Sequence, residues 1–119
     1  MSKFVISGKV IKGQKYGRKI GFPTANLDRR QFLKIKIKPK FGVYSGVAIL
    51  GSKYYRAGIV IGPLDKNGLP KIEAHLLKFK GNLYGKKLIL NTNKFIRPYK
   101  KFQSEQELIS QIGKDLKKC

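Results

Sequence analysis

Short runs rich in β-branched and aromatic residues follow one another along most of the chain, and turn residues separate them. Such runs favour β-strands. Strands are predicted at residues 4–11, 33–38, 42–50, 54–61, 71–79 and 86–92. Turns are predicted between them at Gly51-Ser52, at residues 65–68 and at Gly81-Asn82. Connections this short favour antiparallel pairing of neighbouring strands.

The C-terminal segment has a different pattern, which predicts the only helix. Ser104 and Glu107 have the spacing of a capping box, and we expect the helix to run from Ser104 to about residue 117. An apolar stripe with helical spacing is formed by Leu108, Ile112 and Leu116. Asp115 is assigned to the polar side. Six strands covered by one helix favour a mainly β fold, a small β-barrel rather than a flat sheet.

The 119 residues favour a single domain spanning residues 1–119. Cys119 is the one cysteine, which excludes an internal disulfide and suits a reducing cytosol. No apolar run approaches the roughly 20 residues that span a bilayer, and no signal peptide is evident. We therefore expect a cytoplasmic protein that does not bind membranes.

The formal net charge of +21 makes nucleic-acid binding an alternative function. The basic residues are mostly lysines, however, and they are scattered along the whole chain. Proteins that recognise nucleic acids instead tend to concentrate charge on one face and to use arginine for bidentate contacts. In residues 33–40, lysines alternate with apolar residues, as on the solvent side of an edge strand. We therefore expect small-molecule partners rather than nucleic acid.

Glu73 is the acidic residue that stands in the middle of a predicted strand. Its neighbours Ile72, Ala74 and Leu76 would share one face, and Glu73 would lie on the other. A carboxylate in this position is a candidate general base. A solvated strand residue that pairs with a neighbouring lysine would have the same pattern.

The segment before the second predicted strand contains a second group of candidates. Thr24 and Asn26 are two residues apart, so in an extended segment both side-chain oxygens could reach one cation or phosphate. A turn followed by a capping asparagine is the alternative. Glycines recur every four residues around Arg18, at Gly13, Gly17 and Gly21. They would let the backbone approach an anion, although a flexible loop would have the same composition.

Several separated motifs together resemble the riboflavin kinase (flavokinase) family. They are GKVIKG-x3-GRKIGFPTANL at residues 8–27, FGVYSGVA at 41–48, IEAHLLKF at 72–79, LYGKKL at 83–88 and IRPYKKFQSEQELISQIGKD at 96–115. The resemblance extends over nearly the whole chain. It implies a six-stranded antiparallel Greek-key β-barrel with a C-terminal helix, acting as a monomer.

The resemblance also implies an enzyme that transfers the γ-phosphate of ATP to the 5′-hydroxyl of riboflavin, giving FMN and ADP. Glu73 would be the catalytic base, and Thr24 and Asn26 would hold Mg²⁺ or another divalent cation together with the phosphates. The remaining nucleotide-binding residues would be Gly13, Gly17, Arg18 and Gly21. The flavin would contact Arg97, Phe102 and Ser104. A flavin-binding module that has lost catalysis is the main alternative, and a basic nucleic-acid-binding barrel is the weaker one.

Overall fold

A computed structural model describes residues 4–11, 25–35, 38–64, 66–79, 81–100 and 104–118. Its strands are β1 (Val5–Ile11), β2 (Ala25–Leu27), β3 (Gly42–Leu50), β4 (Lys53–Leu64), β5 (Pro70–Leu76) and β6 (Lys87–Pro98). A 3-10 helix (Arg29–Lys34) follows β2, and the α-helix α1 (Glu105–Lys117) follows β6.

The six strands close into a barrel in the order β1-β2-β5-β4-β3-β6, and every neighbouring pair is antiparallel. Strands β3, β4 and β5 are consecutive neighbours, and β6 returns to pair with β3. Three sequential strands with a fourth beside the first form a Greek key. The expected mainly β barrel with a C-terminal helix is therefore confirmed.

One predicted strand, residues 33–38, is wrong in the part that the structure describes, and its residues 36–37 lie outside the described residues. Residues 33–34, the start of the strand expected at 33–38, belong to the 3-10 helix instead. The Asp28 carboxylate begins this helix by accepting a hydrogen bond from the Arg30 N–H at 3.0 Å, and Phe32 packs into the core with 8% of its surface exposed. Leu33 remains 64% exposed. The sixth strand is instead β2, a three-residue segment just before Asp28.

The barrel interior is filled by alternate residues of the strands. On β5, Ile72, Ala74 and Leu76 are buried, as their spacing predicted. Tyr44 is also buried; its hydroxyl donates to the Lys40 carbonyl at 2.6 Å, and burial raises the pKa of Tyr44. Because inward residues are apolar, the intervening residues of β5 point away from the core.

Helix α1 begins as the sequence predicted. The Ser104 hydroxyl caps it by accepting a hydrogen bond from the Glu107 N–H at 3.2 Å. The helix contacts β4 and is joined to β6 by an ion pair described below. Neither helix in the described ranges has the length and apolar character needed to cross a membrane.

Candidate functional site

The structure brings together two of the residues that were predicted separately. Asn26 of β2 lies directly opposite Glu73 of β5 in the antiparallel register. Ala25 and Leu27 on either side of Asn26 are buried. Residues opposite each other on antiparallel strands share one face of the sheet. Asn26 and Glu73 are therefore neighbours on the outer face of the barrel.

Glu73 has a half-buried environment with one cationic neighbour. Its side chain is 21% exposed, and Lys71 Nζ lies 3.1 Å from Glu73 Oε1. On the side away from Asn26, Glu73 is opposite Val60 of β4. The alternative interpretation, in which Glu73 is a solvated strand residue paired with a neighbouring lysine, thus has its lysine in Lys71. Its presence is compatible with catalysis, because a paired carboxylate still has a second oxygen that can accept a proton.

The donor atoms at this position suit a hard divalent cation. The Asn26 side chain offers an amide oxygen as a ligand, and the Glu73 carboxylate on the neighbouring strand adds negative charge nearby. Oxygen ligands of these types are the ones that Mg²⁺ prefers, commonly with ligand phosphates completing its coordination. The described part of the site therefore fits a cation that is bound together with a phosphorylated ligand.

The other predicted nucleotide-binding residues lie outside the described residues. These are Gly13, Gly17, Arg18, Gly21 and Thr24, and Phe102 of the predicted flavin site also lies outside them. Their positions relative to Glu73 remain predictions.

Arg97 has an observed partner that the sequence did not predict. Its Nε lies 3.0 Å and 3.1 Å from the two Asp115 carboxylate oxygens, and its Nη2 lies 2.7 Å from Oδ2. Gln111 donates to Asp115 Oδ1 at 2.9 Å, and Arg97 Nη1 donates to the Pro98 carbonyl at 3.1 Å. Arg97 therefore joins β6 to α1, and its contact with flavin remains a prediction.

Asp115 corrects an expectation from the sequence. We expected it on the polar side of the helix, but only 6% of its surface is exposed. A charged residue can be buried when it is paired and hydrogen-bonded, and both Arg97 and Gln111 satisfy this carboxylate. Gln111 precedes Asp115 by four residues, and this spacing was the local signal that the two side chains could form a hydrogen bond. The decisive partner lies 18 residues away on a strand.

Ser104 also has an observed structural role. Its hydroxyl caps α1, and the side chain is exposed at the start of the helix. Arg97 near the end of β6 and Ser104 before α1 flank the connection that contains Phe102. A role for Ser104 in binding flavin remains a prediction.

Comparisons with known proteins give a consistent family assignment. The family model described as riboflavin kinase (flavokinase) matches residues 1–119. The bifunctional riboflavin kinase/FMN adenylyltransferase of Escherichia coli K12 is 36% identical over 124 residues, which cover 94% of this chain and 36% of that protein. An RNA-binding riboflavin kinase of Bacillus subtilis is 35% identical over 116 residues, which cover 94% of this chain and 48% of that protein.

Two crystal structures have similar folds. The riboflavin kinase from Trypanosoma brucei superposes with a TM-score of 0.70 at 26% identity, over 98% of this chain and 74% of that one. A protein described as a macrolide-efflux protein from Streptococcus pneumoniae superposes with a TM-score of 0.82 at 28% identity, over 97% of this chain and 38% of that one. The chain spans between a third and a half of the length of the two bacterial relatives described above.

Proposed function

The chain belongs to the riboflavin kinase family, and from that premise we propose that it transfers the γ-phosphate of ATP to the 5′-hydroxyl of riboflavin. The products would be FMN and ADP. The observation that carries the proposal is the direct pairing of Asn26 with Glu73, which sets an amide oxygen beside a carboxylate. Both residues lie in motifs that resemble the family.

In the proposed reaction, Glu73 is the general base. As the 5′-oxygen attacks, a bond forms between that oxygen and the γ-phosphorus, and the bond from the γ-phosphorus to the bridging oxygen of ADP breaks. The proton of the hydroxyl passes to the Glu73 carboxylate. Phosphoryl transfer depends mainly on positioning and charge stabilisation, so one oriented base beside a phosphate site is sufficient protein chemistry.

Asn26 would bind the nucleotide's phosphates together with a divalent cation, with Thr24 completing the site. The cation would supply charge neutralisation for the phosphates. Arg18 and the three glycines of the preceding loop would surround the nucleotide, because glycine allows close backbone approach and arginine binds phosphate in a bidentate manner. This division of roles would leave Glu73 available for the hydroxyl.

The flavin would lie near the connection between β6 and α1. Arg97 and Ser104 flank this connection, and Phe102 lies within it. A phenylalanine can stack on a planar ring, while polar groups fix its orientation. We propose that a monomer binds both small molecules in this way.

A nucleic-acid-binding function is supported by two other observations. One is the net charge of +21, and the other is the name of the Bacillus subtilis relative, which describes that protein as RNA-binding. Such binding would weaken steeply with salt as counterions are released. Fluorescence anisotropy with a labelled single-stranded RNA at several salt concentrations would test it. The scattered lysines make this the second candidate.

The test of the proposed kinase follows FMN formation by chromatography. The full chain is incubated with riboflavin, ATP and Mg²⁺, beside the variants Glu73→Gln and Glu107→Gln. We expect FMN from the wild type and a loss of about a hundredfold or more in Glu73→Gln, because the amide cannot accept the proton. Glu107→Gln makes the same chemical change on the exposed side of α1, so it should retain wild-type activity.

Two results would contradict this proposal. Bound flavin without FMN, under any nucleotide or divalent metal, would leave a flavin-binding module. Equal activity of Glu73→Gln and the wild type would exclude Glu73 as the base. Thermal unfolding of each variant separates lost chemistry from lost folding.

A further inference from the structure

Lys71 is the closest described cation to the proposed base. It lies two residues before Glu73 on β5, and both side chains point to the outer face of the barrel. Lys71 Nζ is 3.1 Å from Glu73 Oε1, and the two side chains are 38% and 21% exposed. This arrangement follows from the strand itself, because side chains at positions i and i+2 share a face.

The residues on either side of Lys71 are fixed in the core. Pro70 and Ile72 on either side of it are buried, and Ile72 lies opposite Ile61 of β4. Lys71 itself lies opposite the register shift between Ile61 and Leu64 of β4, and its side chain starts on the same face of β5 as Glu73. The lysine is therefore carried by the sheet rather than by a loop, which favours reproducible placement of the group it contacts.

Among the described residues of β5, Glu73 shares the outer face with Lys71 and His75. Across the sheet it is opposite Asn26 on one side and Val60 on the other. Within the described ranges, Lys71 is its ion-pair partner, and the shortest distance joins Nζ to Oε1. An ion pair through one oxygen favours the orientations of the carboxylate that keep this contact, which narrows the directions open to the second oxygen.

The ion pair between Lys71 and Glu73 is expected to add little to the stability of the fold. A partly exposed lysine–carboxylate pair contributes little to folding and often nothing measurable. Orientation of a reacting group has a larger effect, because a misplacement of about 1 Å can reduce a rate by about a hundredfold. An ion pair at the proposed base therefore has more influence on rate than on stability.

We propose that Lys71 is a positioning residue for Glu73. It holds Oε1, so that Oε2 is directed towards the 5′-hydroxyl beside Asn26 and receives its proton. The inference rests on the proposed kinase function and adds to it a residue that acts through the base. Lys71 itself neither gains nor loses a proton in this step.

The test compares four variants of the full chain under the conditions that give FMN. Lys71→Met removes the charge but keeps the length of the side chain, and Lys71→Arg keeps the charge. Lys94→Met makes the same change at an exposed lysine on β6, which lies across the barrel from β5. The double variant Lys71→Met/Glu73→Gln asks whether Lys71 acts through Glu73.

We expect Lys71→Met to lower kcat by about tenfold, with KM for ATP and riboflavin within about twofold of wild type. Lys71→Arg should recover most of the rate, and Lys94→Met should match the wild type. The double variant should be no slower than Glu73→Gln alone, because a positioning residue has no effect once its target cannot act as a base.

Different results overturn different proposals. Unchanged kcat in Lys71→Met, or a further loss in the double variant, would overturn the positioning role while the kinase stands. A raised KM for ATP at unchanged kcat would also overturn it and would assign Lys71 to nucleotide binding. A loss of rate matched by a loss of folded protein would make Lys71 structural. No FMN from the wild type would overturn the kinase itself, and the positioning role with it.

Discussion

The ion pair on β5 and the ion pair between β6 and α1 differ in the kind of cation they contain and in their burial. Lys71 Nζ lies 3.1 Å from Glu73 Oε1, and the two side chains are 38% and 21% exposed. Arg97 contacts both oxygens of Asp115, and these side chains are 20% and 8% exposed. A lysine ammonium is a compact point charge, whereas the planar guanidinium of Arg97 engages both carboxylate oxygens of Asp115. The two pairs therefore suit different tasks, orientation of the proposed base and attachment of a helix.

The largest effect is expected when the buried pair is broken. Asp115→Ala leaves the Arg97 guanidinium without its carboxylate, and it should lower the free energy of unfolding by about 3 kcal/mol. Lys71→Met should change it by about 1 kcal/mol or less. Urea unfolding followed by circular dichroism measures both values.

A double variant identifies the cause of that loss. Arg97→Met/Asp115→Leu removes both charges and replaces them with apolar groups, so it should recover much of the lost stability. If the double variant is as unstable as Asp115→Ala, the unpaired Arg97 cation is not the cause of the lost stability. Equal losses in Asp115→Ala and Lys71→Met would remove the distinction between the two pairs.

A smaller effect is expected at the N-terminus of α1. Ser104→Ala removes the acceptor for the Glu107 N–H and should cost about 1 kcal/mol of unfolding free energy. Ser110→Ala is the matched control, because Ser110 is exposed within the same helix and alanine favours helix there. A loss in Ser104→Ala as large as that in Asp115→Ala would show that the cap, rather than the buried pair, dominates attachment of the helix.

The smallest effect is the response of each pair to salt. In a double-mutant cycle, the coupling energy of Lys71 with Glu73 should be about 0.5 kcal/mol at low salt and should approach zero in 1 M NaCl. The coupling of Arg97 with Asp115 should change little, since buried charges are screened less. A coupling on β5 that persists in 1 M NaCl would indicate that this pair is less accessible than its exposure suggests.

Local patterns predicted the parts of the molecule that local physics determines. The alternation of Ile72, Glu73 and Ala74 predicted which face of β5 is buried, because strand geometry fixes that period. The spacing of Ser104 and Glu107 predicted the start of α1, because the cap is formed within four residues. Both predictions needed no information from distant parts of the chain.

One error arose from a competing local signal, and the others arose where distant residues decide the outcome. The strand expected at residues 33–38 had the right alternation, but the Asp28 cap and the burial of Phe32 begin a 3-10 helix before it. Asp115 was placed on the polar face because it is charged, while its burial depends on Arg97, 18 residues earlier. Asn26 and Glu73 become neighbours only when β2 pairs with β5, so their spacing in the sequence did not predict that they are close.

The shortness of β2 gives ligand binding a second consequence. This strand has three residues, yet it closes the barrel between β1 and β5, and Asn26 takes part in both pairings. A ligand bound to Asn26 and Glu73 would bridge β2 and β5, and β2 is the shortest strand of the barrel. Part of the binding free energy would then oppose separation of β2 from β5, because a ligand that binds only the closed barrel stabilises it. The bound ligand would in this way help to hold the barrel closed.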